Sequence, residues 1–346
     1  MNRSIFCSPV LLINGKEILS ISSATFNDSG NNILQKLSVS FSEPDLADSN
    51  LFNEKVEFFL NYGSQDGVPL FRGYIKEFKP TERNISITAI DPRTFISGQD
   101  SLPVVIDEVN NYDGYTGIQF ISEVLESHLN VNKTILTSEA LQEMDKPVYM
   151  NGIRSTEPPY DTLKKLVETQ RDDDDILNVY EYFLGVYHGG LNTSLILRKT
   201  KALDGRPDFT YTYNNGIIKL SYKERAPPSF GLAASEDGTT VRFDYGNAPK
   251  GHRGVRVSGK FTSREHARKH ALAEVMLKQG DDKEITLTVS KGYYLEPGAI
   301  IRLEVPDSNI RGQYRITSKK ISYSSGKVSC TLQLNKKPIK ISDYIN

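Results

Sequence analysis

The sequence predicts a β-dominated α+β protein with two β-rich units and helix-containing segments between them. Three observations lead to this prediction: short alternating strands at both ends of the chain, helical periodicity in the middle, and a similarity between the two β-rich regions. With 346 residues the chain is longer than one ordinary hydrophobic core requires, so more than one domain is expected.

Residues 1–100 are predicted to form the first β-rich unit. Asn14-Gly15 tolerates the positive φ angles of a tight hairpin turn after the apolar residues 10–13. Residues 37–41 and 85–89 alternate apolar and polar side chains, as strands with one buried face do. Six short strands joined by tight turns indicate a small sandwich or barrel.

Residues 101–175 are predicted to form a helical accessory domain. Apolar residues between 117 and 129 fall on one face of an amphipathic helix. Glu157-Pro158-Pro159 is typical of the start of a second helix, because proline suits the first helical turn. Four consecutive aspartates at 172–175 oppose the helix macrodipole, so this second helix is expected to end before them.

Residues 176–225 and 280–335 are predicted to form the second β-rich unit. Between them, residues 226–254 are rich in Pro, Gly, Ser and Asp, and are interpreted as a loop or insertion. Together with the helix that follows, this insertion is expected to occupy residues 226–279, and residues 336–346 are expected to form a C-terminal tail.

The helix in the insertion is predicted to begin after Ser263, which can cap it, and to run to Gln279. Ala267, Ala271 and Val275 give it a face of small residues. Such a face allows a helix to pack closely against a sheet.

The two β-rich regions share a local pattern around an Arg-Gly pair. Arg72-Gly73-Tyr74 and Arg311-Gly312-Gln313-Tyr314 each precede an aromatic strand, a lysine-containing turn and an alternating return strand. A glycine within a strand marks a bulge or a close backbone approach. The pattern predicts two copies of one unit, in which replacing Gly73 or Gly312 with a β-branched residue disturbs assembly.

Composition argues against several classes of protein. The net charge of −1 comes from 42 basic and 43 acidic residues, whereas a nucleic-acid binder needs a basic surface. Cys7 and Cys330 are too few and too far apart for a disulfide scaffold, and are interpreted as small buried residues. The absence of a signal-like or membrane-spanning apolar run predicts synthesis in the cytoplasm and no membrane insertion.

No catalytic motif is found, so we expect no catalytic residues, no cofactor and no metal. His266 and His270 have metal-ligand spacing, but two cations lie between them and the glutamate of a metalloprotease helix is missing. The aspartates at 172–175 lack the alternating oxygen ligands and the glycine of a calcium loop. Both features are interpreted as solvated surface.

Two short motifs and the order of elements point to a family. Leu295-x-Pro297-Gly298-x-x-Ile301 leads into a strand, Gly312-x-Tyr314 begins the next one, and the Ala-rich helix at 264–277 precedes both. In this order the chain resembles the phage late control protein D and Mu-type baseplate hub family, related in fold to the T-even hub and the N-terminal part of VgrG spikes. The chain departs from that pattern in the polar segment at 226–254 and in its basic tail.

The resemblance implies two tube-protein-like β-barrels in each chain, with α-containing accessory segments outside them. A homotrimer would then present six barrels in a ring, matching a hexameric tail tube on one side and a trimeric central spike on the other. The implied partners are the tube or tube-initiator protein, the spike, the baseplate wedge proteins and the tape measure protein, with DNA passing through the channel without specific binding. The implied location is the virion tail baseplate.

Eight residues are assigned a structural or assembly role, from the shared pattern and from the resemblance. They are Arg72, Gly73, Tyr74, Pro297, Gly298, Arg311, Gly312 and Tyr314. Two other functions stay open beside a structural hub: a tail-associated cell-wall hydrolase using a pair of acidic residues, and a β-rich receptor-binding adhesin. The absence of Trp argues against the adhesin, whose binding platforms are usually aromatic.

Overall fold

The structure is a computed structural model that describes residues 8–29, 34–46, 49–61, 69–81, 84–95, 104–105, 116–122, 134–136, 156–157, 182–187, 194–199, 203–224, 226, 228–235, 238–244, 253–259, 264–279, 283–306 and 310–336. The predicted helix after Glu157, the aspartates at 172–175 and the tail beyond Lys336 lie outside these residues.

Strands make up most of the described chain, which confirms the predicted β-dominated α+β class. The first strands are β1 (Ser8–Ile13), β2 (Lys16–Ile18), β3 (Ile21–Ser29), β4 (Lys36–Phe41), β5 (Lys55–Asn61), β6 (Phe71–Pro80) and β7 (Ile85–Ile90). The next are β8 (Val104–Val105), β9 (Thr134–Leu136), β10 (Thr156–Glu157), β11 (Tyr182–Tyr187) and β12 (Ser194–Lys199). The last are β13 (Phe209–Thr212), β14 (Ile217–Glu224), β15 (Phe230–Ser235), β16 (Thr240–Asp244), β17 (Gly254–Gly259), β18 (Lys283–Val289), β19 (Ile300–Val305), β20 (Ile310–Ser324) and β21 (Lys327–Asn335).

The described helices are short, apart from one. The α-helices are α1 (Gly117–Phe120) and α2 (Arg264–Gln279), and the 3-10 turns are Pro44–Leu46 and Pro92–Phe95. Of the amphipathic helix predicted over residues 117–129, the structure describes only the beginning, where Ile121 is buried.

One sheet of 13 strands dominates the fold, in the order β14-β18-β21-β20-β3-β4-β7-β6-β5-β1-β2, with β19 and β13 branching from β20. In this order the strands from β14 to β20, with β19 and β13, come from the C-terminal part of the chain, and those from β3 to β2 come from the N-terminal part. Alternate side chains on these strands point into a single apolar cluster that contains residues of both halves. The tight turn predicted at Asn14-Gly15 is confirmed by their φ angles of 49° and 78°.

The two halves are joined through β3 and β20, which pair antiparallel over Ser23–Ser29 and Ser318–Ser324. One edge of β20 is therefore shared between β19, which pairs with residues 310–315, and β3. The opposite edge pairs with β21. This junction makes the sheet continuous within one chain.

The segment at 182–199 does not join the main sheet. Strand β11 pairs with β12, and β12 pairs with β9, in a three-stranded sheet, whereas the sequence pattern predicts β11 and β12 in the second β-rich unit. Alternating patterns identify a strand but do not select its partner, so the pairing with β9 could not be read from the sequence. The domain boundaries remain a prediction.

The interpretation of residues 226–254 as a loop is wrong in part, because they contain β15 and β16. These strands and β17 form a sheet on which α2 packs through Ala267 and Ala271, as predicted for its small-residue face. The glycine content that indicated a loop has a different cause at Gly231. A Cβ at this position would lie 2.6 Å from the carbonyl oxygen of Ala271, so the close approach of the helix requires a glycine there. The small residues allow the helix to approach the sheet.

Candidate assembly surface

The main sheet contains one ladder of strands twice. β6 pairs first with β5 and then with β7, and β20 pairs in the same way with β19 and β21. Tyr74 and Arg315 are equivalent, because each is the last residue paired with the preceding strand and the first paired with the following one. A single bulged residue comes two positions later in both copies, Lys76 in β6 and Thr317 in β20. The same register and the same bulge indicate a duplicated unit.

The duplication extends across two further strands. β4 and β18 pair with the equivalent positions of β7 and β21, and they in turn pair with β3 and β14. Ser22 in β3 and Ile218 in β14 are bulged at the same point of their ladders. Four residues after each bulge, Phe26 and Tyr222 occupy equivalent positions. The equivalent strands are β3 and β14, β4 and β18, β5 and β19, β6 and β20, and β7 and β21.

The predicted residues of the first unit lie in β6 and face the core or its rim. The Nε atom of Arg72 donates a hydrogen bond of 2.7 Å to Oε1 of Glu57 on β5. Gly73 is enclosed, since a Cβ there would collide with the backbone carbonyl of Ile90 and with the ring of Phe71. Tyr74 is half-buried, and the loss of solvent around it raises the pKa of its hydroxyl. Through Arg72 and Gly73 the segment contacts both neighbouring strands, β5 and β7.

Pro297 and Gly298 form the predicted turn before β19, and both are buried. The turn is closed by the amide of Ala299, which donates to the carbonyl oxygen of Glu296 at 3.0 Å. Gly298 has a φ of 90°, and its amide donates to the carbonyl oxygen of Ile316 at 2.8 Å. The turn therefore fixes the start of β19 against β20.

The remaining predicted residues lie in β20 and have different environments. Arg311 is exposed, whereas Tyr314 is 1% exposed and lies opposite Ile301 of β19. Gly312 has a φ of 124°, and a Cβ at this position would meet no atom within 4 Å. The residues of β20 and the Pro297-Gly298 turn therefore lie together around the β19–β20 pair. The predicted residues of β6 form a separate group.

The sequence pattern suggested that the two Arg-Gly pairs are equivalent, but the strand pairing shows that they are not. Gly312 comes three residues before Arg315, so its equivalent in β6 is Phe71. Gly73 comes directly before Tyr74, so its equivalent is Tyr314. The Arg-Gly pairs are displaced by two residues, which keeps the same face of the strand but not the same place in the ladder.

Sequence reasoning did not identify the residues of the β3–β20 junction. Phe26 lies opposite Ile321, and their side chains are only 1% and 2% exposed. Asp28 lies opposite Lys319, and both are buried. Burial raises the pKa of the Asp28 carboxyl, although Lys319 opposes that shift. The two side chains therefore interact electrostatically across the junction. Asp28 falls in the buried register of β3, and this alternation is the signal that the sequence offered.

Two edges that are equivalent to this junction have no strand beside them in the described part of the chain. One is the outer edge of β14, where Tyr222 is 48% exposed. The other is the edge of β6 beyond its contact with β5, where Glu77, Lys79 and Pro80 are exposed. Unpaired strand edges are the usual templates for pairing with another chain. These two edges are the candidate assembly surface.

Within the described residues, no group of three or more His, Cys, Asp and Glu side chains is arranged to hold a metal ion. In the same part of the chain, no helix has both the length and the apolar character needed to cross a membrane.

The whole chain has the fold of phage tail proteins. It matches a tail protein from Neisseria meningitidis MC58 with a TM-score of 0.70 and 12% identity, covering 99% of this chain and 100% of that one. It matches the 43 kDa tail protein of prophage MuSo2 from Shewanella oneidensis with a TM-score of 0.69 and 11% identity, covering 96% and 99% of the two chains. These likenesses agree with the resemblance to the baseplate hub family that the sequence showed.

A further likeness connects the fold to secretion machinery. An Escherichia coli component of the type VI secretion system, described as similar to the T4 tail proteins gp27 and gp5, matches with a TM-score of 0.55 and 12% identity, over 95% of this chain and 76% of that one. By sequence alone, no protein-family model and no curated protein matches the chain.

Proposed function

We propose that the protein is a structural, non-enzymatic subunit of the baseplate of a contractile phage tail, and that it forms a homotrimeric hub. The observation that carries the proposal is the duplicated ladder, because three chains with two equivalent units each supply six similar units. Such a ring matches a sixfold tube on one face and a threefold spike on the other. The likeness of the entire chain to tail proteins supports the same role.

In this proposal the partners are the tail tube or tube-initiator protein, the central spike, the baseplate wedge proteins and the tape measure protein. The location is the virion tail. DNA passes through the ring without specific binding, and the net charge of −1 suits a channel that must not retain a polyanion.

The test is the mass and shape of the purified full-length chain. Native mass spectrometry and sedimentation are expected to give the mass of three chains, and averaged electron micrographs are expected to show a ring with six peripheral densities. A chain that remains a monomer at concentrations far above those of ordinary subunit association, or a ring without sixfold features, would refute the hub.

A further inference from the structure

We infer that copies of this chain are joined by antiparallel pairing of β14 in one copy with β6 in the next, in the register of the β3–β20 junction inside each chain. The inference rests on the proposed trimer and specifies the strands and residues at its interface. It follows from the duplication: β14 is the equivalent of β3, and β6 is the equivalent of β20.

The first argument is the difference in burial between equivalent strands. Phe26 in β3 lies opposite Ile321 of β20 and is 1% exposed, whereas its equivalent Tyr222 in β14 is 48% exposed. Residues 221–224 are all exposed, while the equivalent residues of β3 are buried or half-buried. Among the described residues, a strand with the same position in the same unit thus has a neighbour in one unit and none in the other.

The edge of β6 differs in the same way from the equivalent edge of β20. Lys319 and Ile321 of β20, which pair with β3, are 4% and 2% exposed. Their equivalents in β6 are Phe78, which is half-buried, and Pro80, which is exposed. The two uncovered surfaces are therefore the two halves of one junction, carried at different places on the same chain.

Pro80 sets the end of the expected ladder. The amide of Thr81 donates to the carbonyl oxygen of Asn84 across the β6–β7 hairpin at 2.8 Å, so backbone groups one residue earlier point to the open edge. At Pro80 that edge carries a carbonyl acceptor but no amide donor. A proline there also discourages indiscriminate edge pairing in the free chain. We therefore expect a short ladder that stops at Pro80.

The internal junction fixes the register. Asn27 lies opposite Lys320, and the equivalent pair between copies is Lys223 opposite Lys79. Glu77, which forms a 3.6 Å ion pair with Lys79, stands diagonally across from Lys223 and offsets the repulsion between the two lysines. In the same register Tyr222 lies opposite Pro80, and Glu224 lies opposite Phe78.

The contact is heterologous, because each chain uses β14 on one side and β6 on the other. Such contacts either close into a ring or continue as an open filament. If the step between chains repeats the step between the two units of one chain, six units in a ring require three chains. The proposed trimer is then closed by three identical strand pairs.

Disulfide trapping tests the register. We choose Lys79→Cys with Lys223→Cys, since facing residues whose backbones do not hydrogen-bond to each other lie about 4.5 Å apart at Cα, within disulfide range. The matched control is Lys79→Cys with Lys219→Cys, in which the second cysteine is displaced by about 13 Å along the strand. All variants carry Cys7→Ser; Cys330 is buried and stays in place.

A second pair calibrates the chemistry. Asn27→Cys with Lys320→Cys places cysteines at the same positions of the internal junction and is expected to form a disulfide within one chain. Its faster migration under non-reducing conditions would confirm that this geometry is competent for the bond, independently of assembly.

The expected result for Lys79→Cys/Lys223→Cys is a shift from the mass of one chain to covalent species of up to three chains, lost on reduction and absent from the Lys219 control. A native trimer in which this pair does not cross-link, or cross-links no better than the control, overturns the inferred strand pair and leaves the hub standing. A chain that is monomeric in native mass spectrometry overturns both. Covalent species that extend beyond three chains overturn the closed ring.

Discussion

Asn53 and Gly298 occupy the same position of one turn that the chain makes twice. Both residues have positive φ angles, 63° and 90° respectively. The amide of Asn53 donates to the carbonyl oxygen of Ile75 at 2.8 Å, as that of Gly298 donates to Ile316 at 2.8 Å. The duplication therefore reaches beyond the strands, to the turns that set their register.

The positive φ angles in this turn predict how substitutions of Asn53 and Gly298 change the free energy of unfolding. Asn and Gly are the residues that best tolerate positive φ, whereas a β-carbon without a compensating polar group costs about 1–2 kcal/mol there. Gly298→Ala and Asn53→Ala are therefore each expected to lower the free energy of unfolding by about this amount. Asn53→Gly is expected to stay within about 0.5 kcal/mol of the parent, because relief of strain and greater unfolded-state entropy oppose each other.

Denaturant unfolding followed by circular dichroism measures these differences. Thr25→Ala, in the half-buried register of β3 and outside both turns, serves as the control for a general effect of substitution. An Asn53→Ala variant as stable as Asn53→Gly would show that the left-handed conformation is not maintained in solution.

Local chemistry made much of this fold predictable, and long-range pairing did not. The Asn14-Gly15 hairpin and the close-packing face of α2 follow from residues within a few positions of each other, and both are present. The duplication was detected from the Arg-Gly pairs, but with a displacement of two residues. Only the ladder, with its bulges at Lys76 and Thr317, gives the correct alignment.

The candidate assembly surface was not predictable, because it is defined by strand edges that have no neighbouring strand among the described residues. Tyr222 follows the same alternation as Phe26, and nothing local distinguishes a strand that has a neighbour from one that lacks it. The distinction becomes visible only when the two units are superimposed and the exposed fractions of equivalent side chains are compared. Conversely, Gly73 and Tyr314 were selected as site residues, but their burial gives them a role in the core.

The charge of Asp28 predicts a specific dependence of stability on pH. Burial raises the pKa of this carboxyl above its unfolded value, opposed by the positive charges of Lys319 and Arg93 and reinforced by Glu296. The folded state then binds the proton more tightly than the unfolded state does. As the pH falls through the folded pKa, this group therefore adds stability to the folded protein.

Asp28→Asn removes that titration while leaving an oxygen that can accept the 3.1 Å hydrogen bond from Nε2 of Gln35. The difference in unfolding free energy, variant minus parent, is expected to decrease as the pH is lowered from about 7 to about 4. Urea unfolding at several pH values measures it. Asp45→Asn, in the 3-10 turn away from the junction, is the matched control; a difference for Asp28→Asn that grows toward acid pH would contradict the raised pKa.

Gly73 and Gly312 are expected to respond differently to the same substitution, although the sequence pattern treats them alike. An added Cβ at Gly73 would collide with the Ile90 carbonyl, and backbone atoms cannot yield as a flexible side chain can. At Gly312 the space is open and only the φ of 124° opposes a side chain. Gly73→Ala is therefore expected to cost more than the roughly 1–3 kcal/mol typical of overpacking, and Gly312→Ala about 1–3 kcal/mol from backbone strain.

Thermal unfolding gives the order of stability, and native mass spectrometry of the same samples gives the state of assembly. Gly312→Ala is expected to retain the trimer, because its residue pairs with β19 inside one chain and lies in neither β14 nor β6, the two strands inferred to pair between chains. Gly73→Ala is expected to lose the trimer together with the fold. A Gly312→Ala variant that is stably folded but monomeric would instead place Gly312 in the contact between chains, as the sequence pattern alone suggested. Equal stability of the Gly73→Ala and Gly312→Ala variants would refute the steric difference between the two sites.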